Sequence, residues 1–118
     1  MSSTDRYQEL TTRTNRHLAP LRSGIPEVMQ GFGAMARAAL APGHLDEKTK
    51  ELIAMAIGVA VRCDDCLGFH AKALVRLGAT AEEVREMLGV AVYMGGGPSL
   101  MYAAHAMEAF EEFSRAAA

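Results

Sequence analysis

Apolar residues recur every three or four positions along most of the chain, which is the spacing of amphipathic helices. The first such stretch covers residues 4–18, and Pro20 is expected to end it before a turn at Gly24-Ile25-Pro26. A second stretch runs from Pro26 to Leu40, where Pro42-Gly43 breaks it. No stretch of the sequence alternates as a strand does. The pattern therefore predicts an all-α protein, a helical bundle of about six helices.

The later helix boundaries carry their own sequence signals. Asp46 is suited to cap a third helix, and Thr80-Ala81-Glu82-Glu83 forms a capping box at the start of the fifth. Gly78 is expected to stop the fourth helix. Gly95-Gly96-Gly97-Pro98 should separate the fifth helix from the last, which is expected to fray from Arg115 onward.

The third helix differs from the others because residues 52–61 are apolar on every side. Such a helix must be buried all round, and one small domain can hardly surround it. The chain has no Trp and only three Tyr and four Phe, so its core must be largely aliphatic. We therefore predict that further copies of the chain cover this helix in a homo-oligomer.

Length and composition indicate a single domain of residues 1–118, with an N-terminal helical extension at 1–22 and a core at 46–115. The net charge of −2 comes from dispersed residues, which predicts no nucleic-acid partner. The longest apolar run has ten residues, whereas a membrane-spanning helix needs about 20. The polar start of the chain shows no signal peptide. A cytoplasmic protein without a membrane partner is expected.

Both cysteines lie in one segment, as Cys63 and Cys66, and His70 follows four residues after the second. On a helix these three side chains share one face, with Cβ atoms roughly 5–6 Å apart. Two thiols at this spacing can form a disulfide, and the imidazole is close enough to take a proton from Cys66. A dithiol with its own base is typical of a redox site.

Two other interpretations of the cysteine pair remain open, a zinc site and a chance pair in the core. Zinc needs four ligands, and the fourth would have to be His17, His44, His105 or an acidic residue. Because no second CxxC is present, we expect no metal and no cofactor. His105 is expected to be structural.

Charges around the thiols oppose one another. A helix N-terminus, Arg62 and His70 favour a thiolate, whereas Asp64 and Asp65 disfavour it through like charge. The thiolate is favoured overall only if the two carboxylates point away from the thiols.

The order Glu51, eleven residues, Cys63-x-x-Cys66-x-x-x-His70 resembles the signature of the AhpD-like alkylhydroperoxidases in the carboxymuconolactone decarboxylase superfamily. Residues 52–113 resemble its short single-domain members. The resemblance implies an all-helical AhpD-like fold and a homo-oligomer, often a hexamer built as a trimer of dimers. It also implies reduction of a hydroperoxide with an external dithiol as reductant. Cys66 would attack the peroxide, Cys63 would resolve the product to a disulfide, and His70 with Glu51 would relay protons.

The position of Glu51 needs a geometric condition. Twelve residues of straight helix span about 18 Å, so Glu51 would lie beyond His70 if one helix ran from Glu51 to Arg62. Glu51 reaches the site if the helices cross steeply, if the first helix ends early, or if a neighbouring subunit supplies it. Otherwise it is a solvated acid.

The sequence thus predicts a thiol-dependent peroxidase, with three alternatives. The same cysteines could serve a general disulfide oxidoreductase or redox sensor. The lactone chemistry of the decarboxylase branch is a second alternative, although that branch typically lacks the CxxC. The third is an oligomeric scaffold without catalysis.

Overall fold

The computed structural model describes residues 5–118, so the predicted polar start of the chain and the predicted first helical residue lie outside the described part. Within residues 5–118 no strand occurs, which confirms the all-α class. Six helices, joined by short loops, make up this part of the chain. They are α1 (Arg6–Gly24), α2 (Pro26–Leu40), α3 (Glu47–Ala60), α4 (Asp64–Arg76), α5 (Ala81–Gly95) and α6 (Gly97–Ala117).

The predicted capping signals are confirmed. Asp46 Oδ1 accepts a hydrogen bond of 2.7 Å from the backbone amide of Thr49 and so caps α3. Thr80 and Glu83 cap each other's amides at the start of α5. Gly96, with φ of 72°, turns the chain between α5 and α6, a backbone angle that glycine adopts without strain.

Two predicted helix ends are wrong. Helix α1 continues through Pro20 to Gly24. A proline removes one hydrogen bond to the residue four positions earlier, here Arg16. Both residues are exposed, so water can satisfy the freed carbonyl and the helix persists. At the other end of the chain, α6 remains helical past Arg115 to Ala117.

Helix α4 lies at the centre of the bundle, where it packs against α1, α3 and α6. Helix α5 packs on α3 and α6. Gly68 allows α1 to approach α4 closely, because a Cβ at that position would lie 2.6 Å from Thr11 Cγ2. The largest fully buried side chains are Tyr7, Met55, Val59, Leu67, Leu74, Val84 and Glu112.

Glu112 is the charged member of this buried set, and its carboxylate caps the first helix. Its side chain comes from α6 and is 1% exposed. The backbone amides of Tyr7 and Gln8 donate to its two oxygens at 3.1 and 2.7 Å. These amides belong to the first turn of α1, where no intrahelical acceptor exists. The positive end of the helix dipole also favours a carboxylate there.

Helix α2 contributes no buried residue. Its apolar side chains, including Val28, Phe32 and Met35, are more than 60% exposed in the single chain. Helix α3 also leaves one apolar face exposed, through Ile53 and Ile57. One chain therefore does not surround α3, as the sequence predicts, and its cover by further copies stays a prediction.

The turns after α3 and α4 have the same backbone hydrogen bonds. After α3, Cys63 N–H donates to Gly58 O at 3.0 Å and Arg62 N–H donates to Val59 O at 3.2 Å. This pair defines a Schellman motif, whose left-handed position is usually glycine. After α4 that position is Gly78, with φ of 78°, whereas after α3 it is Arg62, with φ of 60°.

Candidate redox site

Cys63 and Cys66 form a disulfide at the start of α4, with their Cα atoms 5.2 Å apart. Cys63 does not lie on the helix as predicted. It is the N-cap residue, with φ of −112° and ψ of 94°, because the turn after α3 ends only at this residue. Its sulfur accepts a hydrogen bond of 3.2 Å from the amide of Cys66. The Cys63 sulfur therefore lies at the positive end of the α4 dipole.

Helix α3 packs directly on Cys66 through Gly58. A Cβ at position 58 would lie 3.3 Å from Cys66 Cβ and 3.4 Å from a methyl carbon of Leu67. Contacts of this length are already tight for carbon atoms. Glycine at position 58 therefore allows the backbone of α3 to lie beside the disulfide.

Glu51 and His70 meet within one chain, with Glu51 Oε1 2.5 Å from His70 Nδ1. Helix α3 ends at Ala60, so it does end earlier than a single helix from Glu51 to Arg62 would. Glu51 lies about 14 Å along α3 from that end, and His70 about 9 Å along α4 from Asp64. The remaining offset of about 5 Å is within reach of the two side chains.

The Glu51–His70 pair fixes the orientation of the imidazole. Glu51 is 4% exposed, and the His70 side chain is 27% exposed. When an ionised carboxylate accepts the proton of Nδ1, Nε2 is left as the nitrogen that can accept a proton. The same arrangement of carboxylate and imidazole orients general bases in hydrolases. The pair therefore has the composition of a base with its orienting group.

The two carboxylates that follow Cys63 are turned toward α1 and α6. Tyr7 Oη donates to Asp64 Oδ1 at 2.7 Å, and His105 Nδ1 lies 3.1 Å from the same oxygen. Thr14 Oγ1 donates to Asp65 Oδ1 at 2.5 Å. Two positions along a helix correspond to a rotation of about 200°, so Cys66 projects nearly opposite to Asp64. The condition for a favoured thiolate is met for Asp64.

Tyr7 is a component of this region that the sequence does not reveal. Burial, the hydrogen bond to Asp64 and the negative charge of Asp64 raise the pKa of the Tyr7 hydroxyl. Tyr7 and Asp64 lie 57 positions apart, on helices whose packing cannot be read from spacing. The His105 ring also packs on Tyr102, with centroids 4.8 Å apart, and its structural role stays a prediction.

Within residues 5–118 no three His, Cys, Asp or Glu side chains are grouped as a metal site requires. His70 is paired with Glu51, and His105 with Asp64. In the same described range, no helix has the length and apolar character needed to cross a membrane.

The all-helical fold and the order of Glu51, the cysteine pair and His70 agree with the family that sequence comparison assigns. Residues 26–109 match the model of the carboxymuconolactone decarboxylase family, and the chain belongs to this family. The superfamily resemblance seen in the sequence is confirmed. Helix α1 lies before the matched region, so the partners of Asp64 and Asp65 on that helix are outside it.

Similar proteins are known from several bacteria. An uncharacterised protein of Cupriavidus necator is 40% identical over 85% of this chain and 88% of its own length. The structure of an apo carboxymuconolactone decarboxylase family protein of Legionella pneumophila is 58% identical. It covers 93% of this chain and 98% of its own, with a TM-score of 0.92. A family member of Thermotoga maritima with a possible antioxidative role is 31% identical, covering 89% and 90% of the two chains, with a TM-score of 0.79.

Proposed function

We propose that this protein is a thiol-dependent peroxidase that reduces hydroperoxides through a dithiol–disulfide cycle of Cys63 and Cys66. The observation that carries the proposal is the disulfide at the start of α4 with the Glu51–His70 pair one helical turn further on. The cysteine pair stores two electrons when it is reduced to two thiols. The Glu51–His70 pair supplies a base and an acid for the proton transfers.

In the first step, Nε2 of His70 takes the proton of the Cys66 thiol, while Glu51 stabilises the imidazolium that forms. The thiolate attacks the terminal oxygen of the hydroperoxide, and the O–O bond breaks. Cys66 becomes a sulfenic acid, and the leaving alkoxide takes a proton from His70 to give an alcohol. Cys66 is thus oxidised by two electrons and the hydroperoxide is reduced by two.

In the second step, the Cys63 sulfur attacks the Cys66 sulfur. The S–O bond breaks, the leaving hydroxide takes the proton of the Cys63 thiol and departs as water, and the disulfide forms. An external dithiol then reduces this disulfide by two thiol–disulfide exchanges and is itself oxidised. The hydrogen bond from the Cys66 amide to the Cys63 sulfur supports a resolving role, because it favours a thiolate at Cys63.

Family membership and one similar protein support this proposal. The Thermotoga maritima protein, with its possible antioxidative role, has the same fold at 31% identity. We also propose a homo-oligomer, with a hexamer built as a trimer of dimers as the expected form. The exposed apolar side chains of α2 and α3 support it, since large exposed apolar patches mark interaction sites.

A second candidate function is general disulfide exchange without peroxide preference. One observation favours it, namely that Cys63 rather than Cys66 occupies the N-cap of α4. In a CxxC pair at a helix N-terminus, the stabilised thiolate is the one that attacks a foreign disulfide. Under this alternative Cys63 is the nucleophile and the Glu51–His70 pair has no direct part.

Turnover with hydroperoxide distinguishes the two functions. Reduced protein is mixed with tert-butyl hydroperoxide and a series of dithiols, and the alcohol product is measured against the uncatalysed reaction. We expect saturable production of alcohol by the wild type and its loss in Cys66→Ser. His17→Gln removes an exposed histidine on α1 and should leave the rate unchanged. Reduction of small disulfides without consumption of hydroperoxide would overturn the proposal and favour disulfide exchange.

A further inference from the structure

Arg62 occupies a backbone conformation that disfavours any residue with a Cβ. Its φ of 60° lies in the left-handed region, which costs an L-residue more than glycine. The chain itself shows the unstrained solution, since Gly78 fills the same position after α4. Backbone strain of this kind concentrates at functional sites. Arg62 is the residue immediately before Cys63, in the turn that leads into the disulfide.

The charge of Arg62 has no carboxylate partner among residues 5–118. The residue is exposed. The two acids that follow in sequence are engaged elsewhere, because Asp64 binds Tyr7 and His105 and Asp65 binds Thr14. Arg62 is therefore a cation without an ion-pair partner in the turn that leads into Cys63, and the positive end of the α4 dipole has the same sign.

We propose that Arg62 makes the thiol site selective for reactants that carry a carboxylate near the reacting atom. The physiological use of this selectivity rests on the proposed function, in which the reactants are a hydroperoxide and a thiol reductant. The selectivity itself belongs to the sulfur atoms in any reaction. At a separation of about 7 Å in water, one unit charge changes the encounter with an anion by roughly three-fold at low salt.

Alkylation of the reduced protein by a matched pair of probes tests the proposal. Iodoacetate and iodoacetamide attack the same thiolate and differ in charge, so the ratio of their rates cancels any change in thiol ionisation. In Arg62→Gln we expect the ratio of iodoacetate to iodoacetamide to fall about three-fold, whereas Arg62→Lys should retain it. The wild-type ratio should also fall as salt is raised.

Arg85→Gln is the matched control. It removes the same charge from an exposed site on α5. Arg85 is close in sequence to Glu83, which pairs with Lys48 at the start of α3, whereas Arg62 follows the other end of α3. Its alkylation ratio should equal that of the wild type. An unchanged ratio in Arg62→Gln would overturn the proposal, and an equal fall in Arg62→Lys would show that side-chain shape rather than charge is responsible.

The oxidised protein gives a second, independent measurement. Its disulfide is reduced with 3-mercaptopropionate and with 3-mercaptopropanol, and the ratio of rates is compared among the same variants. We expect Arg62→Gln to lower this ratio about three-fold as well. Neither measurement requires peroxide turnover. If both ratios shift in a protein that consumes no hydroperoxide, the role of Arg62 stands and the peroxidase function is rejected. If hydroperoxide is consumed and neither ratio shifts, the peroxidase function stands and the role of Arg62 is rejected.

Discussion

Arg62 and Gly78 hold the same left-handed position at the ends of consecutive helices, one as an arginine and the other as a glycine. Exchanging the residue type at each position should change stability in opposite directions. The left-handed conformation costs an L-residue about 1–2 kcal/mol. Replacement by glycine relieves this strain, but roughly half of the gain is lost because glycine increases the conformational entropy of the unfolded chain. With the disulfide intact, we expect Arg62→Gly to raise the free energy of unfolding by about 0.5–1 kcal/mol.

Gly78→Ala should lower the free energy of unfolding by a similar amount. A Cβ at position 78 meets no atom within 4 Å, so the loss measures backbone conformation alone. Urea unfolding of both variants checks the pair. Destabilisation in Arg62→Gly would mean that the arginine side chain contributes more to the fold than its backbone strain costs.

His70→Gln tests the base at the redox site. Glutamine keeps a similar size and hydrogen-bonding capacity but does not titrate. We expect alkylation of Cys66 at neutral pH to slow by about ten-fold or more, and the loss to shrink as pH rises past the ordinary cysteine pKa of about 8.5. Glu51→Gln should slow alkylation of Cys66 less than His70→Gln does, and this loss of rate should shrink with rising pH in the same way. A wild-type pH profile from pH 6 to 10 in His70→Gln would contradict the proton relay.

The two cysteines should respond differently to peroxide. Only Cys66 has His70 one helical turn away, so Cys63→Ser should accumulate a sulfenic acid at Cys66 that a dimedone probe traps. Cys66→Ser should give little trapping at Cys63. Mass spectrometry of the labelled peptides provides the measurement, and equal labelling in the two variants would argue for disulfide exchange instead.

Tyr7→Phe should remove an alkaline loss of stability. Because the pKa of Tyr7 is raised in the folded state, the unfolded chain releases this proton first, near its ordinary pKa of about 10. The contribution of Tyr7 is therefore fully present below about pH 10 and lost as pH rises further. Urea unfolding from pH 8 to 11 should show a shallower decline in Tyr7→Phe. Tyr93→Phe, at a tyrosine 84% exposed, should keep the wild-type decline.

Phe32→Glu should dissociate the proposed oligomer. Phe32 is 61% exposed on α2, a helix with no buried residue, and a carboxylate there would have to be desolvated in an interface. We expect light scattering to show an assembled wild type at micromolar concentration and a smaller particle for Phe32→Glu. Gln30→Glu introduces the same charge at an exposed position on α2 and should leave the mass unchanged. A wild-type monomer would refute the assembly.

Local signals were sufficient to predict most of the fold. Asp46 and Thr80 cap helices by binding amides three residues away, and such contacts are readable from spacing. The end predicted for α1 at Pro20 is wrong because spacing does not reveal that Pro20 and Arg16 are exposed to water. The sequence pattern predicts Cys63 on the helix because it cannot distinguish the first helical residue from the cap.

The candidate site combines local and distant contacts, and only the local part could be predicted. The spacing of Cys63 and Cys66 predicts their pairing. The Glu51–His70 contact depends on where α3 ends and on how α3 packs against α4, and spacing determines neither. The partners of Asp64 come from α1 and α6, and their positions follow from helix packing rather than from any motif.

The cap that Glu112 provides has a consequence for the order of folding. Its carboxylate binds amides 104 and 105 residues earlier in the chain. Contacts between such distant residues close slowly, because the entropy of the intervening loop must be lost before they form. During synthesis, the first turn of α1 lacks its acceptor until residue 112 has emerged from the ribosome. The cap on the first turn of α1 is therefore completed only after most of the described bundle has been synthesised.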